Sequence, residues 1–159
     1  MTDVFFERLS HEAHRELFHY WDSKRQGDRL PSRTDIDPID IPHLLSCLAL
    51  IEVFSDVDPV DFRYRLAGTE IVKAAGREPS GKTFRELYSG DHLEGAIQTY
   101  NDIRERAAPH ISRRIFRNDA CRRCLNYDRM ILPLASKGQT VDMFILHVVF
   151  VEIRNLNAI

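Results

Sequence analysis

The chain has 159 residues, of which 43% are apolar and 29% charged, and it carries a net charge of −2. That length suits one domain burying roughly two thirds of its unfolded surface, and the balance of residue types excludes a disordered or low-complexity chain. The near-neutral charge gives no reason to expect nucleic acid or an anionic membrane as a partner, and no apolar run is long enough to span a bilayer.

In chain order, Phe6, Leu9, Ala13, Leu17 and Tyr20 recur at spacings of three and four, so Asp3 to about Lys24 is expected as one amphipathic helix stopped by Gln26-Gly27-Asp28. Arg29 to Pro38 is polar, holds Pro31 and Pro38, and reads as a linker; Asp37-Pro38 then has the chemistry of a helix start. Leu48 to Phe54 reads as a strand. Asp61 to Leu66 alternates and should complete an antiparallel hairpin with it. Thr69 caps a short helix, Glu70 to Ala75, with Gly76 just past its end. Thr83 to Tyr88 makes a further turn, and Asp91 with Glu94 has capping-box spacing at the head of a longer helix reaching Arg106.

Three strands should close the chain: His110 to Arg117, Leu125 to Ala135 and Thr140 to Ile153, the last two joined by Ser136 to Gln139. In the last strand Val141, Met143, Ile145, Val149, Val151 and Ile153 share one side, and Phe144, Leu146, Val148 and Phe150 share the other. An antiparallel strand with one wet face alternates apolar with polar, so this strand should be covered front and back. The short central helices can cover one face, and the N-terminal helix or a second subunit the other.

Gly76 to Thr83 reads Gly-Arg-Glu-Pro-Ser-Gly-Lys-Thr and fits the phosphate-binding loop, G-x-x-x-x-G-K-[ST]. A working loop needs a buried strand before the first glycine and a substantial helix after Lys82-Thr83, which aims backbone N–H groups at phosphates. Here a helix precedes and only a turn or two follows, and the element order lacks the strand–helix alternation of a parallel nucleotide sheet. A P-loop nucleotide-binding enzyme is therefore the alternative reading.

The order of elements, with Leu66-Ala67-Gly68-Thr69-Glu70-Ile71-Val72, Gly81-Lys82-Thr83-Phe84 with Leu87, and Leu132-Pro133-Leu134, resembles the PAS domain. Tyr20-Trp21, Leu30 to Pro38 and Phe62 to Thr69 are similar to a bacterial family of stand-alone PAS proteins. The resemblance implies an α+β fold: a five-stranded antiparallel sheet with a helical cluster on one face and an N-terminal amphipathic helix on the other. Residues 1–29 would form that helix and its linker, and 30–159 the PAS-like domain. It further implies a non-catalytic sensory or regulatory module that binds a small molecule, a protein partner in signal transduction, or both, and that dimerises through the N-terminal helix. A PAS fold with a filled core, a ligand-free structural adaptor, is a second alternative. A ligand pocket should lie between the sheet and the long helix, with Ile97, Tyr100 and Arg104 from the helix and Tyr64, Met130 and Met143 from the strands. The cofactor is unknown. His92 falls near where some haem-binding members place their ligand, although a histidine beside a helix start is expected to face solvent.

Other patterns have plain readings. Cys121 and Cys124 form a lone Cys-x-x-Cys without the second pair a structural zinc needs, so no metal site is expected. Three cysteines cannot all pair, and Met1-Thr2-Asp3 leads into charge rather than an apolar leader, so a reduced cytoplasmic location is expected. His11-Glu12-Ala13-His14 is one residue short of zinc-protease spacing, and with His19 these histidines should decorate the helix's polar side. Arg113, Arg114, Arg117, Arg122, Arg123 and Arg129 make a local positive excess. This is either an anion or acidic-partner patch or a set of ion pairs with Asp56, Asp58 and Asp61 on neighbouring strands. No nucleophile–base spacing marks a catalytic site.

Overall fold

The computed structural model describes residues Thr2 to Leu156. Two N-terminal helices, α1 (Thr2–Glu7) and α2 (Glu12–Ser23), lead through three 3-10 turns into strands β1 (Leu48–Phe54) and β2 (Asp61–Ala67). Helices α3 (Thr69–Ala75), α4 (Phe84–Leu87) and α5 (Gly90–Arg106) follow, and then β3 (His110–Asn118), β4 (Arg123–Leu134) and β5 (Met143–Asn155). The sheet order is β2-β1-β5-β4-β3, with all four adjacent pairs antiparallel. Among the described residues no helix is long and apolar enough to cross a membrane.

β5 is the central strand, flanked by β1 and β4. Its residues Phe144 to Val148 are all buried, because helices cover both of its faces. Towards α3, α4 and α5 it turns Phe144, Leu146 and Val148. On the other side His147 meets His14 of α2, ring centroids 5.1 Å apart. There Leu17, Phe18 and Trp21 of α2 are buried, and Trp21 Nε1 donates to the Pro133 carbonyl at 2.9 Å. The N-terminal segment of the same chain is thus what covers this face.

The single long N-terminal helix expected from the apolar stripe is two helices. The break at Arg8 to His11 lets Phe5 reach Phe18, with ring centroids 5.1 Å apart. In one continuous helix those residues would sit about 20 Å apart along the axis. Burial of Leu9 and a bond from Arg15 Nε to the Leu9 carbonyl (2.9 Å) hold the turn. The stretch expected as a linker is pinned as well. Leu30, Pro31 and Ile36 are buried, and Leu30 N–H donates to the Gly138 carbonyl while Pro31 accepts from Ala135.

Two further expectations change. β5 does not keep one alternation throughout: Asn126 pairs with Glu152 but Tyr127 with Phe150, which leaves Val151 as an extra residue. This bulge reverses the side taken by later residues, so Ile153 lies opposite Leu125 instead of continuing the Ile145 face. The capping box belongs to α4, not α5. Thr83 Oγ1 accepts from Glu86 N–H (3.3 Å) and Glu86 accepts from Thr83 N–H (2.8 Å), whereas α5 starts at Ser89 without a side-chain cap.

That arrangement also answers the phosphate-loop match. Helix α3, not a strand, delivers the chain to Gly76, which ends that helix in the left-handed conformation at φ 73°. The helix after Thr83 has four residues. Gly81 N–H donates to the Tyr64 carbonyl (2.7 Å) and Lys82 accepts from Tyr64 N–H (3.0 Å), so the loop docks along β2. The helix-end N–H groups and dipole that hold phosphate are missing from this geometry.

Candidate functional site

The inner face of the sheet, α3, α4 and α5 enclose a cavity of about 110 Å³ that is partly open to solvent. It exists because this layer is built from large rings around small residues. Phe84 sits 5.0 Å from Tyr100, and Tyr100 sits 5.0 Å from Phe144, both edge to face. Ala74, Ala75 and Ala96 on the helices leave the space those rings do not fill. Strand alternation supplies the far wall, turning Arg114 and Phe116 of β3, Leu125, Tyr127 and Arg129 of β4, and Leu146, Val148 and Phe150 of β5 inward.

Polar groups gather on part of this wall. Tyr64 and Tyr88 share a hydroxyl–hydroxyl hydrogen bond of 2.9 Å. Burial raises the Tyr64 hydroxyl well above the usual phenol range, with neighbouring Tyr88 adding to it, and burial raises Tyr88, Tyr100 and Tyr127 too. Every one of these phenols is neutral at pH 7. His92 lines the cavity between Tyr88 and Phe116, with ring centroids 4.7 Å from each. Burial, then the charges of Arg114 and Arg129, lower its pKa. The expected solvent-facing histidine is therefore half-buried in the wall.

Of the residues anticipated from sequence, Tyr64 and Tyr100 line this cavity; Ile97, Arg104, Met130 and Met143 do not. Helix α5 buries Ala96, Tyr100 and Ile103, so the expected stripe was right at Tyr100 and one residue too far along at Ile97 and Arg104. Met130 pairs with His147, and Met143 with Glu52 and Leu134, on the face that α2 covers. A strand apolar on both sides does not announce which side holds the space. Arg77, Tyr88 and Tyr127 were not anticipated; Arg114 and Arg129 were noted only within the arginine excess, and His92 only for its place near a haem-ligand position.

Those arginines do not pair with Asp56, Asp58 and Asp61, because β3 and β4 lie across the sheet from β2. Arg113 instead chelates Asp128 at 2.8 and 3.0 Å, and Arg117 meets Asp119 at 2.7 Å. Asp61 is met by Arg85 at 3.4 Å. Asp128 also receives His11 Nε2 at 2.7 Å, tying the start of α2 to β4. Cys47, Cys121 and Cys124 are free thiols, and none of them lines the cavity. His11 and His14 face the sheet rather than solvent, and among the described residues no cluster of three or more His, Cys, Asp or Glu side chains could hold a metal ion.

The sequence matches the PAS domain family over residues 9–147, and the chain belongs to that family. The match takes in α2 as well as β1 to β4 and the first residues of β5. Many solved structures share the fold, two light-oxygen-voltage proteins among them. One is a light-oxygen-voltage domain from work with a flavin analogue: 11% identity, TM-score 0.54, covering 72% of this chain and 83% of that one. The other is a Rhodobacter sphaeroides LOV protein: 14% identity, TM-score 0.50, covering 73% of this chain and 69% of that one. No curated protein matches the sequence. At these identities the likeness shows a shared fold. As packed, the cavity does not fit a flavin: about 110 Å³ is less than the roughly 150 Å³ that accommodates benzene.

Proposed function

We propose that this protein is a non-catalytic sensory PAS module that takes a small molecule into the cavity and passes the change to a protein partner. The carrying observation is the cavity itself: within a family of helix-covered sheets, this one leaves about 110 Å³ beside three arginines and a ring of aromatics. Close-packed interiors seldom keep such space without an occupant.

The path outward is short. Leu146 and Val148 line the cavity, and His147 between them contacts His14 of α2. A ligand that shifts the inner packing of β5 therefore bears on the N-terminal layer across one strand, and it biases α2 between two packings by its differential affinity for them. Dimerisation through the N-terminal helices, with a further signalling protein as reader, completes this reading. On α1, Val4 is an apolar side chain left exposed and available to such a contact. Free thiols at all three cysteines suit a reduced, cytoplasmic location.

The test uses Ala96→Phe, which fills the cavity from α5. Freshly purified wild type and variant are exposed to a small-molecule extract, and bound compounds are read by native mass spectrometry and amide chemical shifts. We expect compounds retained by wild type and lost from the variant. Identical behaviour of the two proteins would leave the filled-core adaptor as the better description.

A further inference from the structure

The cavity carries charge of one sign. Arg77, Arg114 and Arg129 line it, and none of its lining residues is Asp or Glu. Arg129 is the decisive one, because it is buried, with 9% of its surface exposed. Its Nε donates to Ser112 Oγ at 3.1 Å, an oxygen that His110 Nε2 also meets at 3.1 Å. Among the described residues no carboxylate pairs with Arg129 or Arg114. Asp128 adjoins Arg129 in sequence, yet strand alternation turns it to the opposite face, where Arg113 and His11 take it. A guanidinium that gives up water without gaining a counter-charge is costly until an anion arrives.

The two inward arginines can share one anion. Ser112 is opposite Arg129 and Arg114 is opposite Tyr127, so Arg114 and Arg129 are diagonal neighbours across the β3–β4 pair. Diagonal positions lie about 7–8 Å apart, within reach of two long side chains converging on one group. The rest of the wall is largely aromatic and aliphatic, with Phe116, Leu125, Tyr127, Val148 and Phe150 beside the arginines. A single anionic head on an apolar body matches that lining. Guanidinium forks match carboxylate geometry. If about 150 Å³ holds the six carbons of benzene, about 110 Å³ holds roughly four or five heavy atoms, and the open side admits one or two more.

We propose that the cavity is a receptor for a short-chain monocarboxylate of propionate to butyrate size, its head held by Arg129 and Arg114 and its tail against Tyr127 and Phe150. This rests on the cavity being a ligand site, and it names the chemical class.

The experiment titrates the 159-residue protein with propionate, butyrate, propionamide, butyramide, benzoate and inorganic phosphate, following backbone amide shifts of lining residues. Each acid should bind at least tenfold more tightly than its amide, and benzoate and phosphate should bind more weakly than either acid. Arg129→Met should lower acid affinity at least tenfold while leaving the amides unchanged; Arg129→Gln serves if the methionine variant does not fold. Arg113→Met, on the other face, should alter neither. Acids and amides binding alike, or undiminished acid binding in the Arg129 variants, overturns the carboxylate assignment while the ligand cavity stands. If no probe moves a lining resonance and Ala96→Phe also leaves extract binding unchanged, the cavity reading and this proposal fall together.

Discussion

His14 is fully buried, and neither of its ring nitrogens completes a well-formed hydrogen bond, although the His147 backbone opposes the shift in its pKa. Burial, then the nearby His11 charge, pushes His14 from 6.5 down to about 4; burial, then His14, pushes His147 from 6.5 to about 3. Unfolded histidines take up protons that the folded pair refuses, so stability is intact above pH 6.5 and is lost as pH falls towards 4. The slope is roughly 1.4 kcal/mol per pH unit for each histidine. Asp128 has the same sign in a lower window: its Arg113 hydrogen bonds hold it at about 2, so its contribution disappears between 3.8 and about 2. Urea unfolding from pH 7.5 to 4.5 should show the fall, and His14→Leu should reduce its slope and raise stability at pH 7.5 by about 1 kcal/mol. An unchanged slope in that variant would remove His14 from the account. Gly68 gives a second residue-scale test, because a Cβ there would lie 2.3 Å from the Leu45 and Ser46 carbonyls. Gly68→Ala should cost about 1–3 kcal/mol. Gly95→Ala, in open space on α5, should gain about 0.5–1 kcal/mol, and comparing their urea midpoints checks both.

Among the elements, α2 buries His14, Leu17, Phe18 and Trp21. Trp21 is fully buried, and its loss also orphans the Pro133 carbonyl, so Trp21→Ala should destabilise by about 3–5 kcal/mol in a chemical melt. Helix α4 is different, since four residues cannot sustain a helix alone and the reciprocal Thr83–Glu86 cap holds it. Thr83→Ala should cost about 1 kcal/mol and loosen the cavity wall at Phe84 and Leu87, seen as faster amide exchange there. Most elements were legible in advance. β1 was located to the residue, and α3 and α5 to within one residue at each end. Their signals are local: a run of β-branched and aliphatic residues, a cap, a glycine past the last turn. The break between α1 and α2 was not legible, because the apolar stripe continues through it and tertiary contacts of Phe5, Phe6 and Leu9 hold the turn.

At the scale of the molecule, the N-terminal layer separates fold from assembly. Deleting residues 1–26 uncovers the outer face of β4 and β5, and in the proposed reading it abolishes the dimer. Val4→Glu, at a position 66% exposed on α1, should weaken the dimer while leaving the core intact. Light scattering of both proteins decides the matter: an oligomer that survives the deletion places the interface elsewhere. Tyr100 was placed at the cavity by helical spacing and Tyr64 by strand alternation, whereas Met130 and Met143 stand on the other side. Arg129 could not be singled out. Six arginines crowd Arg113 to Arg129, and which of them loses its water depends on the facing layer.

The amino-acid sequence alone determined the order of elements and a central strand covered on both sides, because alternation, caps and turn residues act within a few positions of the chain. Tertiary structure alone decided which parity of each strand faces the open space, where the Val151 bulge reverses it, and which arginine is buried without a carboxylate. Those outcomes depend on two layers meeting across the sheet, and the burial that selects between them comes from residues distant in the chain.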